Sequence, residues 1–107
     1  MTPISEEVIA RLTNVLVQAA RPKRIILFGS RARRDAAADS DFDVLVVEDK
    51  PANRFAEMVR LNRLLRSLDI AVDLLVVSEE KFQYWHDTLG NVYYEAAMEG
   101  KVLYEAA

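Results

Sequence analysis

Two aspartates sit where a carboxylate is costly. The segments Phe42-Asp43-Val44-Leu45-Val46-Val47 and Val72-Asp73-Leu74-Leu75-Val76-Val77 each carry a single Asp followed by four aliphatic residues, and Asp41 stands two positions before Asp43. Aspartate is depleted in strands and expensive to bury alone, so both segments need a partner for the charge. Side chains alternate along a strand, which puts Asp41 and Asp43 on one face and Phe42 and Val44 on the other. At ~5 Å and an effective dielectric of ~20 the pair repels by roughly 3 kcal/mol unless a cation lies between them. If the two segments are parallel neighbours aligned by their matching sequence, Asp73 lies beside Asp43 and a third carboxylate joins the site. Three oxygen ligands select a hard cation, Mg²⁺ or Mn²⁺. The chain has no Cys and one His, which excludes thiolate and multi-histidine metal sites, disulfides and cysteine nucleophiles.

A cation held by carboxylates alone is characteristic of phosphoryl and nucleotidyl transfer, where it bridges phosphate oxygens. Such chemistry needs a phosphate grip, and Gly29-Ser30 offers one. Glycine lets backbone approach a ligand, the Ser hydroxyl can donate, and a helix starting at Arg31 would aim free N–H groups at an anion. Arg31, Arg33 and Arg34 add positive charge at the same place.

These residues need a scaffold, and the rest of the chain supplies a small one. A chain of 107 residues with 51% hydrophobic and 29% charged residues is expected to form one domain, residues 1–107, with one modest core. Its net charge of -3 gives no global attraction to nucleic acid or anionic membrane, so direct nucleic-acid binding is not expected. Neither a signal peptide nor an apolar run near the ~18 residues of a membrane span is seen, and a soluble cytoplasmic protein is the expectation.

Val8, Leu12, Val15, Leu16 and Ala19 predict a helix from about Ser5, as its cap, to Ala20, stopped by Arg21-Pro22. Arg24 to Phe28 and Phe42 to Val47 read as strands, joined by a loop that holds a short helix at Arg31 to Ala37. Phe55, Met58, Leu61, Leu65 and Leu68 trace a second amphipathic helix, and Ile70 to Val77 is a third strand. Strand, helix, strand over residues 42–77 is a crossover unit, so those strands should be parallel. Ser78 caps a further helix with Phe82, Trp85 and Leu89 on one side, Gly90-Asn91 interrupts it, and Gly100 ends the next helical segment. The expected architecture is α/β: a small mixed sheet of about three strands flanked by helices.

Gly29-Ser30, ten residues, then Asp41-Phe42-Asp43 resembles the Gly-Ser, spacer, Asp-x-Asp signature of the nucleotidyltransferase superfamily. Gly29-Ser30-Arg31-Ala32-Arg33 with Ser40-Asp41-Phe42-Asp43 is similar to its minimal branch, the MNT domains that work beside HEPN-domain partners. The resemblance runs to Glu99-Gly100-Lys101-Val102-Leu103-Tyr104 and covers nearly the whole chain. It implies a nucleotidyltransferase fold and a division of roles. Gly29 and Ser30, with Arg31 and Arg33, would hold the phosphates of ATP; Asp41, Asp43 and Asp73 would hold Mg²⁺ or Mn²⁺; Asp73 would also assist deprotonation of an acceptor hydroxyl. Arg34 stands where the family usually has Gly, a position at which Gly can turn left-handed and Arg does so only at a cost.

The resemblance implies transfer of AMP from ATP to a hydroxyl of a partner protein, with the chain as the antitoxin of a HEPN/MNT pair. A non-catalytic antitoxin that neutralises its partner by occlusion is the alternative, and a small-molecule nucleotidyltransferase built as a homo-oligomer is a third reading. Arg60, Arg63 and Arg66, at steps of three, read as a solvated helix face, and His86 as a surface or half-buried residue rather than a ligand. Six aromatics, Phe82, Tyr84, Trp85, Tyr93, Tyr94 and Tyr104, crowd the end of the chain, more than so small a core can hide.

Overall fold

The computed structural model describes residues 4–29, 32 and 41–107. Helix α1 spans Ile4–Ala20, with Leu12 and Leu16 fully buried one turn apart. Ser5, expected as its cap, lies inside the helix. It stops at Arg21, which turns left-handed at φ 46° ahead of Pro22. Strand β1 is Arg24–Phe28 and β2 is Phe42–Glu48. Helix α2, Arg54–Leu65, is capped by Asn53, whose side chain accepts from the Ala56 amide at 2.9 Å, and a 3₁₀ turn, Arg66–Leu68, follows it. Asp69, left-handed at φ 54°, closes that turn and leads to β3, Val72–Ser78. Helix α3, Glu79–Trp85, is capped by Ser78, α4, Val92–Glu99, by Asn91, and the last strand β4 is Lys101–Glu105.

The sheet is mixed, in the order β3-β2-β1-β4. β2 and β3 are parallel, as a crossover through α2 requires, while β1 runs antiparallel to β2 and to β4. Helices cover both faces, which is why β2 is apolar almost throughout rather than alternating. Leu12, Leu16, Leu61 and Leu65 of α1 and α2 pack on one face against Ile25, Leu27, Phe42, Val44, Val46, Leu74 and Val76. Phe82 and Ala96 of α3 and α4 pack on the other against Ile26, Phe28, Leu45, Val47 and Val77.

Several expectations need correction. Among the described residues the sheet has four strands where about three were expected. β4 escapes notice because it is a short, largely exposed edge whose register shifts opposite Ile25 and Ile26, so it shows no clean alternation. Phe55 falls on the helical periodicity but is 74% exposed. Leu89 lies beyond the end of α3 and is exposed as well. Gly100 does end α4, but in extended conformation; a Cβ there would collide with the Ala96 carbonyl and stand 2.5 Å from Ile26 Cγ2. It is glycine because backbone packs on backbone there. The helix expected at Arg31 to Ala37 lies outside the described residues except for Ala32, which is helical.

Candidate active site

The site is built at the start of β2 and β3 and the end of β1. Parallel pairing aligns Phe42 with Val72, Asp43 with Asp73 and Val44 with Leu74, the register that the two matching segments require. Asp43 and Asp73 are therefore neighbours on adjacent strands, with side chains on the same face of the sheet. That face is the one covered by α3 and α4, whose buried Phe82 packs with Val47 and Val77 toward the other end of the strands. Asp43 is half-buried, whereas Asp73 and Asp41 are exposed. β2 begins at Phe42, so Asp41 stands just outside the strand. The Phe42 amide donates to the Ala71 carbonyl at 2.9 Å, which pins the mouth of the parallel pair beside both aspartates.

Antiparallel pairing sets Phe28 opposite Asp43, so the residue after Phe28 meets the carboxylate. That residue is Gly29, buried, with φ 72°. A Cβ on Gly29 would run into Asp43 Oδ2 and stand 3.2 Å from its Cγ. Glycine is thus required twice, by its backbone conformation and by the carboxylate packed on it. The Gly29 carbonyl then accepts from the Ala32 amide at 3.1 Å. Ser30, Arg31, Arg33 and Arg34 lie outside the described residues.

The structure therefore brings Gly29, Asp43 and Asp73 together, with Asp41 at the strand entrance. Among the described residues no three His, Cys, Asp or Glu side chains form a ready-made cation cage. An open set of carboxylates still suits Mg²⁺, which usually takes one or two from the protein and the rest of its oxygens from substrate phosphates and water.

A sequence profile described as polymerase beta, nucleotidyltransferase, matches residues 10–107. The chain belongs to this nucleotidyltransferase family. Within it, a candidate protein adenylyltransferase of Methanocaldococcus jannaschii is 35% identical over 79 residues, 72% of this chain and 77% of the relative. A chain of the complex between a tri-AMPylated HEPN toxin of Shewanella oneidensis and its MNT antitoxin superposes with a TM-score of 0.63 at 19% identity, covering 96% of this chain and 74% of that one. A chain of a toxin–antitoxin complex with AMP-PNP gives a TM-score of 0.61 at 23% identity, covering 96% and 75%. At these identities the two structures share the nucleotidyltransferase fold.

Other residues depart from the sequence reading or go beyond it. Arg60 is not only part of a solvated face: its guanidinium bonds both oxygens of Glu57 and the Ala19 carbonyl, next to buried Glu48. The one signal in the sequence was Glu48 itself, which closes an apolar strand on the α1 and α2 face. His86 is half-buried, stacks on Phe82 at 5.5 Å and has Nδ1 2.9 Å from the Gln83 carbonyl, a local packing role. Of the six late aromatics only Phe82 is buried; Tyr84 is 70% exposed. No helix among the described residues is long and apolar enough to cross a membrane.

Proposed function

We propose that this nucleotidyltransferase transfers AMP from ATP to a hydroxyl of a HEPN-domain partner and serves as the antitoxin of the pair. The observation that carries the reading is the alignment of Asp43 with Asp73 beside the Gly29 turn. The kinship with a candidate protein adenylyltransferase and the fold shared with an antitoxin bound to an AMPylated toxin support the choice of donor and acceptor.

In this reading the acceptor oxygen attacks the α-phosphorus, the bond to the bridging oxygen of pyrophosphate breaks, and the acceptor proton leaves. Gly29 and Ser30, with Arg31 and Arg33, hold the phosphates; the absence of a side chain at Gly29 lets backbone N–H groups approach them. Asp73, on the exposed edge of the pair, takes the acceptor proton. The donor set of Asp41, Asp43 and Asp73 is all carboxylate, which fits Mg²⁺ or Mn²⁺, and such an ion would neutralise charge building on the phosphates. Asp43, half-buried against Gly29, is the most buried of the three.

The experiment is transfer of label from α-labelled ATP to the co-expressed partner in the presence of Mg²⁺. Label is expected on the partner, and Asp41→Asn with Asp43→Asn should abolish it. Undiminished labelling by that folded double variant refutes the proposal.

A further inference from the structure

The far end of β2 holds a second group of charged side chains that the transfer reaction does not use. Glu48 is only 9% exposed and follows Phe42, Val44 and Val46 onto the face covered by α1 and α2. Glu57 and Arg60 of α2 close over it. Arg60 Nε donates to Glu57 Oε1 at 2.7 Å, and its Nη2 donates to Glu57 Oε2 at 2.9 Å and to the Ala19 carbonyl at 3.0 Å. Those guanidinium bonds go to Glu57 and to α1, not to Glu48. Glu48 Oε2 is buried without a hydrogen-bond partner, and Glu48, Glu57 and Arg60 line one recess. Two carboxyl groups can bond to each other only through a proton, and a buried carboxylate without a cation of its own is unfavourable.

We propose that Glu48, Glu57 and Arg60 form a proton-operated latch: protonated Glu48 donates to Glu57, Glu57 holds Arg60, and Arg60 holds the last turn of α1. While Glu48 keeps its proton the latch ties β2, α2 and α1 together. When the proton leaves, two carboxylates face each other around one guanidinium already engaged, and the junction loosens.

Burial, then the hydrogen bond and charge of Glu57, push the Glu48 carboxyl up from 4.5 to about 8, against the opposing pull of Arg60. The Arg60 hydrogen bond, the largest influence on Glu57, holds that carboxyl below the usual range. The other charge on the same recess is exposed Lys50, with Asn53 as its neutral polar neighbour. β3 places uncharged Ser78 beside Glu48; exposed Lys23, just ahead of β1, bonds the Val47 carbonyl through its amide, and Arg24, the first residue of β1, is ion-paired to Glu79.

A carboxyl raised in the folded state contributes stability that is complete below 4.5 and is lost as pH rises through about 8. Linkage of one proton lowers the folding equilibrium constant about tenfold per pH unit within that window. Glu57, lowered, acts in the opposite sense, and its contribution is lost only as pH falls below 4.5 through its folded value.

The test compares urea unfolding of wild type and Glu48→Gln from pH 5 to pH 9. Glutamine keeps a neutral donor to Glu57 but cannot titrate. The wild type is expected to lose about a hundredfold in folding equilibrium constant between pH 5.5 and 7.5 relative to the variant, and parallel pH profiles overturn the proposal. Carbon-13 carboxyl titration of Glu48 in the wild-type protein decides the matter even if the variant does not fold: a midpoint well above 7 supports the latch and one near 4.5 overturns it.

Discussion

Gly29→Ala separates two demands that the fold makes on one position. Gly29 has φ 72°, a conformation that costs an ordinary residue about 1–2 kcal/mol. The added methyl would also strike the Asp43 carboxylate, with Cγ 3.2 Å and Cβ 3.4 Å away. Pairing holds the backbones of Phe28 and Asp43 in register, so relief must come from the side chain of Asp43 leaving its rotamer, at about 0.5–1.5 kcal/mol. The expected loss of about 2–3 kcal/mol leaves a domain of this size mostly folded, since such domains start from about 5–15 kcal/mol. Activity should suffer more than stability. A catalytic carboxylate displaced by about 1 Å costs on the order of 10²-fold in rate. The assay pairs urea unfolding with AMP transfer to the partner, and repeats the unfolding in an Asp43→Ala background. There the collision is gone, and Gly29→Ala should cost only the ~1–2 kcal/mol of its backbone conformation. The same cost in both backgrounds, or a folded Gly29→Ala with wild-type transfer, refutes the reasoning.

Two further outcomes follow from the geometry. Asp73→Asn keeps the shape of an exposed side chain and removes its basicity, so transfer should fall by about 10²-fold or more while the urea midpoint is unchanged; transfer within threefold of wild type would remove Asp73 from the chemistry. Leu61, fully buried between α2 and the sheet beside Leu12, Leu16 and Val44, should cost about 2–5 kcal/mol when changed to Ala, read as a lower urea midpoint with an unchanged slope.

The strands and helices that carry the site were legible because their patterns are strong. β1 and β2 are unbroken apolar runs, and α1 and α2 show clear helical spacing, so hydrophobic burial leaves little choice. The register of β2 against β3 was legible for a less common reason: each segment has one Asp and then aliphatics, and only one alignment puts both charges at the same open edge. β4 was not legible, since an exposed five-residue edge strand with a shifted register has neither burial nor alternation to announce it. Leu89 is exposed because its helix ends at Trp85, and Phe55 is exposed although it falls on the helical spacing; periodicity reports neither.

By itself the sequence determined the element types, the parallel crossover and the candidate chemistry, because these follow from local pattern, residue type and spacing along the chain. Only the tertiary structure decided that Gly29 must lack a side chain on account of Asp43, and that Glu48, Glu57 and Arg60 meet at the other end of the same strand. Both are contacts between elements, set by how strands pair and helices pack rather than by any one segment. Glu48 and Asp43 are five residues apart on one strand; the alternation of the strand sends one to each face, and the layers above those faces give one carboxyl an open edge and the other a buried recess.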